Sequence, residues 1–318
     1  MLIEILLLIL GLLLLIKGAD WLVDGAVALA KRYKVSDLAV GLTIVAFGTS
    51  APELVVNVYA ASQKHYDIVF GNVIGSNNFN LFIILGITGL ISPLVVKSST
   101  VWKEIPLSFI AALLLFLMAN EFLFHEKYLL SRIDGLVFLI MFGIFLFYVF
   151  NQLKHDAEVL EITYKPLSTT KLWVFIIIGL AGLIIGGRLV VTSAIDLAKA
   201  LNVSEKIIGL TIVAAGTSLP ELVTSIVASL KKNNDIAVGN IIGSNIFNIF
   251  LILAISSLIN PLSYNPGYNR DLYLLLGGTA FLFIAMFTGG KKKLDRWEAG
   301  LMLIIYIGYT YYLITWEL

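Results

Sequence analysis

The chain has 318 residues, of which 59% are hydrophobic and only 14% are charged, and its mean hydropathy is +0.94. A soluble domain carries about 25% charged residues, so lipid rather than water is the expected surrounding of most of this surface. The net charge of +1 excludes the basic surface that nucleic-acid binding requires, and the absence of cysteine excludes disulfides and thiolate metal sites.

Apolar stretches long enough to cross a bilayer fill most of the chain. A transmembrane helix needs about 20 predominantly apolar residues. The first stretch lacks the basic start and the small-residue cleavage site of a signal peptide, so we expect it to remain as a membrane helix. Ten stretches qualify, at residues 2–30, 37–62, 68–92, 103–121, 129–151, 171–199, 205–230, 236–260, 270–288 and 297–316.

The two halves of the chain are copies of one another. A shift of 168 residues superposes residues 18–93 on residues 186–261 without a gap. Chance similarity between apolar segments would not keep Gly, Pro, Glu and Asn in register, so the sequence indicates a duplication. GLTIVAFGTSAPE (41–53) matches GLTIVAAGTSLPE (209–221) at 11 of 13 positions, and GNVIGSNNFN (71–80) matches GNIIGSNIFN (239–248) at 8 of 10.

Each half contains five predicted spans, so the second copy crosses the membrane in the opposite direction to the first. The sequence therefore predicts an all-α integral membrane protein with ten transmembrane helices, arranged as two inverted five-helix repeats. The first repeat covers residues 1–151, a cytoplasmic connecting loop covers 152–170, and the second repeat covers 171–318. Secondary transporters share this plan and hold their substrate near the midplane, where the repeats meet.

Two rival classes fit the sequence less well. The pore of an ion channel is usually assembled symmetrically from several chains, whereas an inverted repeat within one chain favours alternating access. A membrane receptor without transport activity would not need the duplication. An enzyme is not expected, because no nucleophile–base pair or cofactor motif is present, and we expect no cofactor.

Lys and Arg are distributed unevenly between the connectors. The connectors after spans 1, 3, 5, 7 and 9 carry 14 of these residues, and those after spans 2, 4, 6 and 8 carry six. Under the positive-inside rule the first set faces the cytoplasm. We therefore expect a multi-pass protein of the cell membrane with both termini outside.

Two glutamates, Glu53 and Glu221, lie deep in apolar stretches, each at the end of a Gly-Thr-Ser-X-Pro-Glu motif. A carboxylate at membrane depth costs about 3 kcal/mol or more, so positive charge must offset it. Lys17 and Arg188 are the only bases away from the ends of the predicted spans. The pair therefore predicts a cation site; the simpler alternative is two protonated, hydrogen-bonded carboxyl groups.

Proline stands immediately before each of these glutamates. Because proline has no N–H, the carbonyl four residues earlier loses its helical partner, and the helix should break in the middle of the membrane. Irregular backbone at this depth is tolerated only where it lines a buried or hydrated cavity. The oxygens that these breaks would expose are the carbonyls from Ala46 to Gly48 and from Ala214 to Gly216, and the hydroxyls of Thr49, Ser50, Thr217 and Ser218.

The second shared motif, Gly-Asn-X-Ile-Gly-Ser-Asn-X-Phe-Asn, begins spans 3 and 8. Its serine and its final asparagine are four residues apart and therefore share one face of a helix. We interpret these faces as cation ligands, with hydrogen bonding between helices as the alternative. The residues are Ser76, Asn80, Ser244 and Asn248.

Every candidate ligand atom in the two motifs is an oxygen. Sodium, calcium and magnesium bind oxygen, whereas zinc and copper prefer His or Cys. Calcium accepts about six to eight oxygens in flexible geometry, while magnesium demands an octahedron and gives up water reluctantly. Since two glutamates neutralise one calcium ion, the sequence favours calcium.

The paired motifs, GTSAPE with GSNNFN and GTSLPE with GSNIFN, resemble the two alpha-repeats of the cation/calcium exchanger superfamily, specifically its prokaryotic sodium/calcium exchangers. The resemblance extends over essentially the whole chain. It implies antiport of sodium against calcium by alternating access. The ion ligands that it implies are Glu53, Thr49, Ser50 and the Ala46 carbonyl, their mates Glu221, Thr217, Ser218 and Ala214, and the side chains of Ser76, Asn80, Ser244 and Asn248.

One position divides this superfamily. Its potassium-dependent branch, and some prokaryotic exchangers, have Asp where this chain has Asn248, so the resemblance implies a potassium-independent exchanger. The large regulatory insertion of animal exchangers is missing, because residues 152–170 are too few for a folded domain. The expected partners are calcium ions, sodium ions and the lipid bilayer, and no feature predicts an obligate protein partner.

Two alternatives remain open. A proton-coupled calcium exchanger of the same fold is one, because protons compete with metal ions for two neighbouring carboxylates. The other concerns Lys17, Asp20 and Asp24, which share helical spacing on span 1, and Arg188, which occupies the repeat position of Asp20. These charges either pair locally near the membrane interface or take part in gating.

Overall fold

The computed structural model describes residues 2–120, 128–155, 168–201, 214–289 and 292–317, and these are mostly helical. Six of their helices are long and apolar enough to cross a membrane, or seven if one bent pair counts as a single span. The helices are α1 (Leu2–Tyr33), α2 (Asp37–Thr49), α3 (Ala51–Ser62), α4 (Tyr66–Ile91), α5 (Thr100–Ala119), α6 (Arg132–His155), α7 (Thr169–Ala200), α8 (Leu219–Leu230), α9 (Asn234–Ile259), α10 (Asn269–Ala285) and α11 (Arg296–Glu317), with a short helical segment at Ala214–Gly216.

The helices match the predicted spans to within a few residues wherever the chain is described. The predicted span 37–62 is the bent pair, in which α2 and α3 meet at an angle of 49°. The start of the predicted span 205–230 lies outside the described residues, as does most of the predicted loop 152–170. Among the described residues, α6 continues to His155 and α7 begins at Thr169, inside the two ends of that predicted loop.

The helices repeat with the same spacing as the sequence. α8 begins and ends 168 residues after α3, and α9 begins and ends 168 residues after α4. The backbone at the two breaks is also alike, with φ −84° and ψ 4° at Ser50 and φ −90° and ψ 7° at Ser218. The duplication of sequence is therefore a duplication of structure in these segments.

α1 and α7, which are repeat mates, cross antiparallel through glycine-lined faces. A Cβ added at Gly11 would lie 2.9 Å from the backbone oxygen of Gly186, and one added at Gly18 would lie 2.8 Å from that of Gly179. Residue numbers rise along α1 as they fall along α7 at these contacts, so the two helices run in opposite directions. Small residues allow this close approach of two backbones in a membrane.

Two short antiparallel β-ladders join the halves, in contrast to the all-α prediction. β1 (Leu94–Val95) pairs with β4 (Lys293–Leu294), and β2 (Leu129–Leu130) pairs with β3 (Leu262–Ser263). Each strand has only two residues and pairs with a segment remote in the chain, so local alternation of hydrophobicity gives no signal for it.

α4 and α9 are the most buried of the membrane-spanning helices and form the centre of the protein. Each contains a π-helical segment, at Phe79–Ile84 in α4 and at Asn248–Leu253 in α9. Insertions of this kind are frequent at functional sites, because they turn side chains away from the regular helical positions. Both segments begin within one residue of a predicted ligand, Asn80 or Asn248.

Candidate cation-binding site

The two predicted glutamates occupy equivalent positions in the first turns of α3 and α8. Glu53 follows the break between α2 and α3, Glu221 follows the equivalent break before α8, and each residue is 1% exposed. The preceding proline fits the first turn of a helix, where an N–H would have no partner. The positive end of each helix dipole lies beside the carboxylate and offsets part of the cost of burying it.

A hydroxyl from the first half of the chain reaches Glu221. The hydroxyl of Ser50 donates a hydrogen bond of 2.9 Å to Glu221 Oε1 and lies 3.0 Å from Ser244 Oγ. Ser244 Oγ is 3.5 Å from the same carboxylate oxygen. The structure therefore brings three predicted ligands together.

The surroundings of Glu53 are similar but not identical. The side chain of Thr217, from the second break, lies close to the Glu53 carboxylate, and the carboxylates of Glu53 and Glu221 are close enough to repel each other. The ion pairs that lysines make elsewhere in the described ranges involve other carboxylates. Oε2 of each glutamate accepts no hydrogen bond from the described residues, so positive charge from a bound ion would be stabilised here.

The predicted asparagines each present an amide oxygen. Asn80 Nδ2 donates to Asn245 Oδ1 at 3.0 Å, and Asn248 Nδ2 donates to Asn77 Oδ1 at 2.9 Å. Oδ1 of Asn80 and of Asn248 is buried and accepts no hydrogen bond from the described part of the chain. Buried oxygens that accept no hydrogen bond are suited to bind a cation, because the bound ion would take the place of the missing hydrogen-bond donor.

The other predicted ligands differ from one another. The buried hydroxyl of Ser218 has no hydrogen-bond partner among the described residues, whereas Ser76 donates to Asn72 Oδ1 at 3.3 Å. Ala214 is the first residue of the short helical segment Ala214–Gly216, and the residues just before it lie outside the described part of the chain.

The Ala46 carbonyl was predicted to be exposed at the break, and this expectation is wrong in the present structure. That carbonyl accepts a hydrogen bond from the Ser50 N–H at 3.0 Å, and Thr49 Oγ1 lies 3.3 Å from it. The reason is that α2 continues through Thr49, and the chain bends only at Ser50.

Asn240 of α9 is a supporting residue that the sequence analysis did not single out. It accepts a hydrogen bond from Thr49 Oγ1 at 3.0 Å, and its Nδ2 donates to Ser225 Oγ at 3.0 Å and to the Glu221 carbonyl at 3.3 Å. It therefore connects the broken helix of one half to the helix that carries the glutamate of the other. An asparagine occupies this position in both copies of the Gly-Asn motif, and that repetition is the sequence signal that could have identified it.

A cavity of about 420 Å³ lies between α3 and α7 and reaches the second break. Its lining is apolar except for Arg188, Thr192 and Thr217. Thr217 lines this cavity and also lies close to Glu53, so the cavity extends to the side of the site where Glu53 lies.

The corresponding helices of the other repeat, α8 and α1, are joined by ion pairs, and we refer to their junction as the closed contact. Lys231, just after α8, lies 2.6 Å from Asp20 Oδ1 and 2.7 Å from Asp24 Oδ1 on α1. Partial burial lowers the pKa of Lys231, but hydrogen bonds to both carboxylates raise it further, and the net shift is upward. Lys17 Nζ also lies 4.0 Å from Asp20 Oδ2. The two repeats therefore differ in packing around the same site.

Membrane-spanning helices around a buried cluster of oxygens are the arrangement expected of a membrane transporter of cations. A family profile described as sodium/calcium exchanger protein matches residues 3–151 and 171–315. The chain therefore belongs to the sodium/calcium exchanger family, and it is a cation/calcium antiporter rather than an enzyme.

Full-length relatives agree with this assignment. The chain is 31% identical to the sodium/calcium exchanger MaX1 of Methanosarcina acetivorans, with 96% of this chain and 97% of MaX1 covered. It is 37% identical to the inner membrane protein YrbG of Escherichia coli, with 87% and 86% covered. A solved structure of the sodium-calcium exchanger NCX_Mj, soaked with Na⁺ and Ca²⁺, superposes with a TM-score of 0.81 at 34% identity, covering 96% of each chain.

Proposed function

We propose that this protein exchanges sodium for calcium across the cell membrane, with the ions bound between Glu53 and Glu221. The observation that carries the proposal is the facing pair of buried glutamates, each with an oxygen that receives no hydrogen bond from the described residues. The full ligand set comprises these carboxylates with the hydroxyl oxygens of the two breaks and the hydroxyl and amide oxygens of α4 and α9. The names of MaX1 and NCX_Mj support sodium as the coupling ion.

Charge balance supports this choice of ions. Two carboxylates carry two negative charges, which one calcium ion or two sodium ions neutralise. Uncompensated charge in a low-dielectric site costs several kcal/mol or more. A site that holds either one calcium or two sodium ions therefore favours exchange over simultaneous binding.

We also propose that the chain forms ten transmembrane helices in two inverted repeats, at residues 1–151 and 171–318, which alternate access to the central site. The antiparallel crossing of α1 and α7 supports the inversion, because repeat mates run in opposite directions there. The open cavity beside Thr217, and the closed contact at Lys231, support a state accessible from one side. If both termini lie outside, as the sequence predicts, the cavity opens to the extracellular side of the membrane.

Calcium flux into proteoliposomes tests the proposal, with sodium and proton gradients imposed in separate experiments. We expect an outward sodium gradient to drive calcium uptake at fixed pH. A proton gradient alone should drive none. Uptake that follows the proton gradient and ignores sodium would instead establish the proton-coupled alternative.

A further inference from the structure

We propose that Asn77 and Asn245 are positioning residues, which fix the atom that Asn80 and Asn248 turn toward the transported cation. The inference rests on the proposed function, because it concerns two ligands of that site. Asn77 and Asn245 are repeat mates, 168 residues apart, and they meet where α4 and α9 cross. All four asparagines are at most 3% exposed.

The orientation of this cluster is set at two backbone carbonyls. Asn77 Nδ2 donates to the Asn245 carbonyl at 3.2 Å, and Asn245 Nδ2 donates to the Asn77 carbonyl at 3.4 Å. A carbonyl oxygen can only accept a hydrogen bond. Each of these two amides must therefore turn its NH₂ group toward the backbone and its Oδ1 atom in the other direction.

The orientation of the ligands follows from this constraint. Oδ1 of Asn245 faces Asn80 at 3.0 Å, and Oδ1 of Asn77 faces Asn248 at 2.9 Å. An oxygen acceptor requires a donor opposite it, so Asn80 and Asn248 must present their NH₂ groups to it. Their own Oδ1 atoms then point away, and these are the buried oxygens that have no donor among the described residues.

A flipped ligand amide would be costly in two ways. It would place two oxygens opposite each other in a buried site, and an unsatisfied buried acceptor costs about 1–3 kcal/mol. It would also turn an NH₂ group toward the cation, which repels the ion instead of binding it. Asn77 and Asn245 thus ensure that Asn80 and Asn248 present the oxygen of the amide, and not its nitrogen, to the cation.

A double-mutant cycle on the purified full-length protein tests this role, with equilibrium Ca²⁺ binding in detergent as the measurement. Asn245→Leu removes the acceptor that faces Asn80, and we expect Ca²⁺ affinity to fall about 10- to 100-fold, as for other groups that orient metal ligands. In a chain that also carries Asn80→Asp, either orientation presents an oxygen. The carboxylate also places an oxygen opposite Asn245 Oδ1, so adding Asn245→Leu there removes an oxygen–oxygen contact and should not lower the affinity.

Controls separate positioning from folding and from the proposed function. Asn78→Leu removes a neighbouring buried asparagine that donates to the Asp271 carbonyl instead, and it should leave Ca²⁺ affinity unchanged. An equal loss from Asn245→Leu in the wild-type and Asn80→Asp backgrounds would assign Asn245 a structural role and overturn the inference, as would no loss in either. Failure of the wild-type protein to bind Ca²⁺, or full binding by Glu53→Gln, would overturn the proposed function itself.

Discussion

The hydroxyl of Ser50 donates a hydrogen bond of 2.9 Å to Oε1 of Glu221, although the two residues are 171 positions apart and belong to opposite halves of the chain. The side chain of Thr217, from the second half, lies close to Glu53 of the first half. Each half therefore places a hydroxyl side chain beside the glutamate of the other. A cation bound here would contact both repeats at once, so binding would be sensitive to their relative position.

Replacing Glu221 with Gln should abolish calcium exchange while the protein remains folded. The amide retains the volume and an oxygen for Ser50, but it removes one of the two charges that balance Ca²⁺. At about 100 times the Kd, calcium should stabilise the wild-type protein by about 2.7 kcal/mol, and it should not stabilise the variant. Flux into proteoliposomes and thermal unfolding measure the two effects.

Glu104→Gln is the matched control for this substitution. Glu104 is fully buried on α5 and hydrogen-bonds Tyr148 instead of the glutamate pair, so the variant should continue to transport calcium. Undiminished calcium transport by Glu221→Gln or by Glu53→Gln would remove the carboxylate pair from the site.

Potassium should be neither required nor carried, because position 248 carries an amide. An additional ion would leave surplus positive charge beside only two carboxylates, in a site where charge imbalance is expensive. Calcium flux should stay the same when external potassium is replaced by choline at clamped voltage. Asn248→Asp should make flux sensitive to pH or to a further cation, since the new carboxylate must be protonated or paired. A wild-type protein that stalls without potassium would contradict this assignment.

Removing the Lys231 ion pairs should shift the protein away from the conformation seen here. Lys231 bonds both Asp20 and Asp24 across the closed contact, and exposed pairs of this kind contribute up to about 1 kcal/mol. With Lys231→Gln, we expect a cysteine placed at Val56, which lines the open cavity, to react about two- to fivefold more slowly with an impermeant maleimide. Lys232→Gln is the neighbouring control and should leave the rate unchanged, and equal rates in all three proteins would show that the ion pairs do not hold this state.

Single cysteines introduced into this cysteine-free chain should report its orientation. At Lys31 or Lys292 they should react only with reagent on the cytoplasmic side, and at Glu317 only with reagent outside, because the positive-inside rule places the Lys-rich connectors in the cytoplasm. Labelling of intact cells and of inverted vesicles measures this. The reverse pattern would show that the Lys and Arg count assigns the wrong orientation.

Sequence patterns predicted the spans, the duplication and the glutamate pair, because each of these depends on residue type at fixed spacing. A break in the second span was also predicted, since proline removes a specific backbone donor, and the structure has it at Ser50. The exposure of the Ala46 carbonyl was not predicted correctly, because the residue at which a helix stops before proline depends on its packing against other helices.

Other features depended on contacts that no local pattern encodes. Lys231 was counted only as a basic residue in a connector, since its partners are on a helix more than 200 positions away. The role of Asn245 depends on which backbone carbonyl lies opposite it, and that follows from the crossing of α4 and α9. The π-helical segments likewise have no sequence signature at the level of residue type.

The glycine-lined crossing of α1 and α7 has a mechanical consequence. Where Gly18 meets Gly179 and Gly11 meets Gly186, backbone lies against backbone with no side chain between them that could change rotamer and absorb a displacement. A displacement of one helix is therefore transmitted directly to its mate, and the two helices should move as one rigid body. Opening of the central site on one side of the membrane and its closure on the other side would then be parts of a single movement.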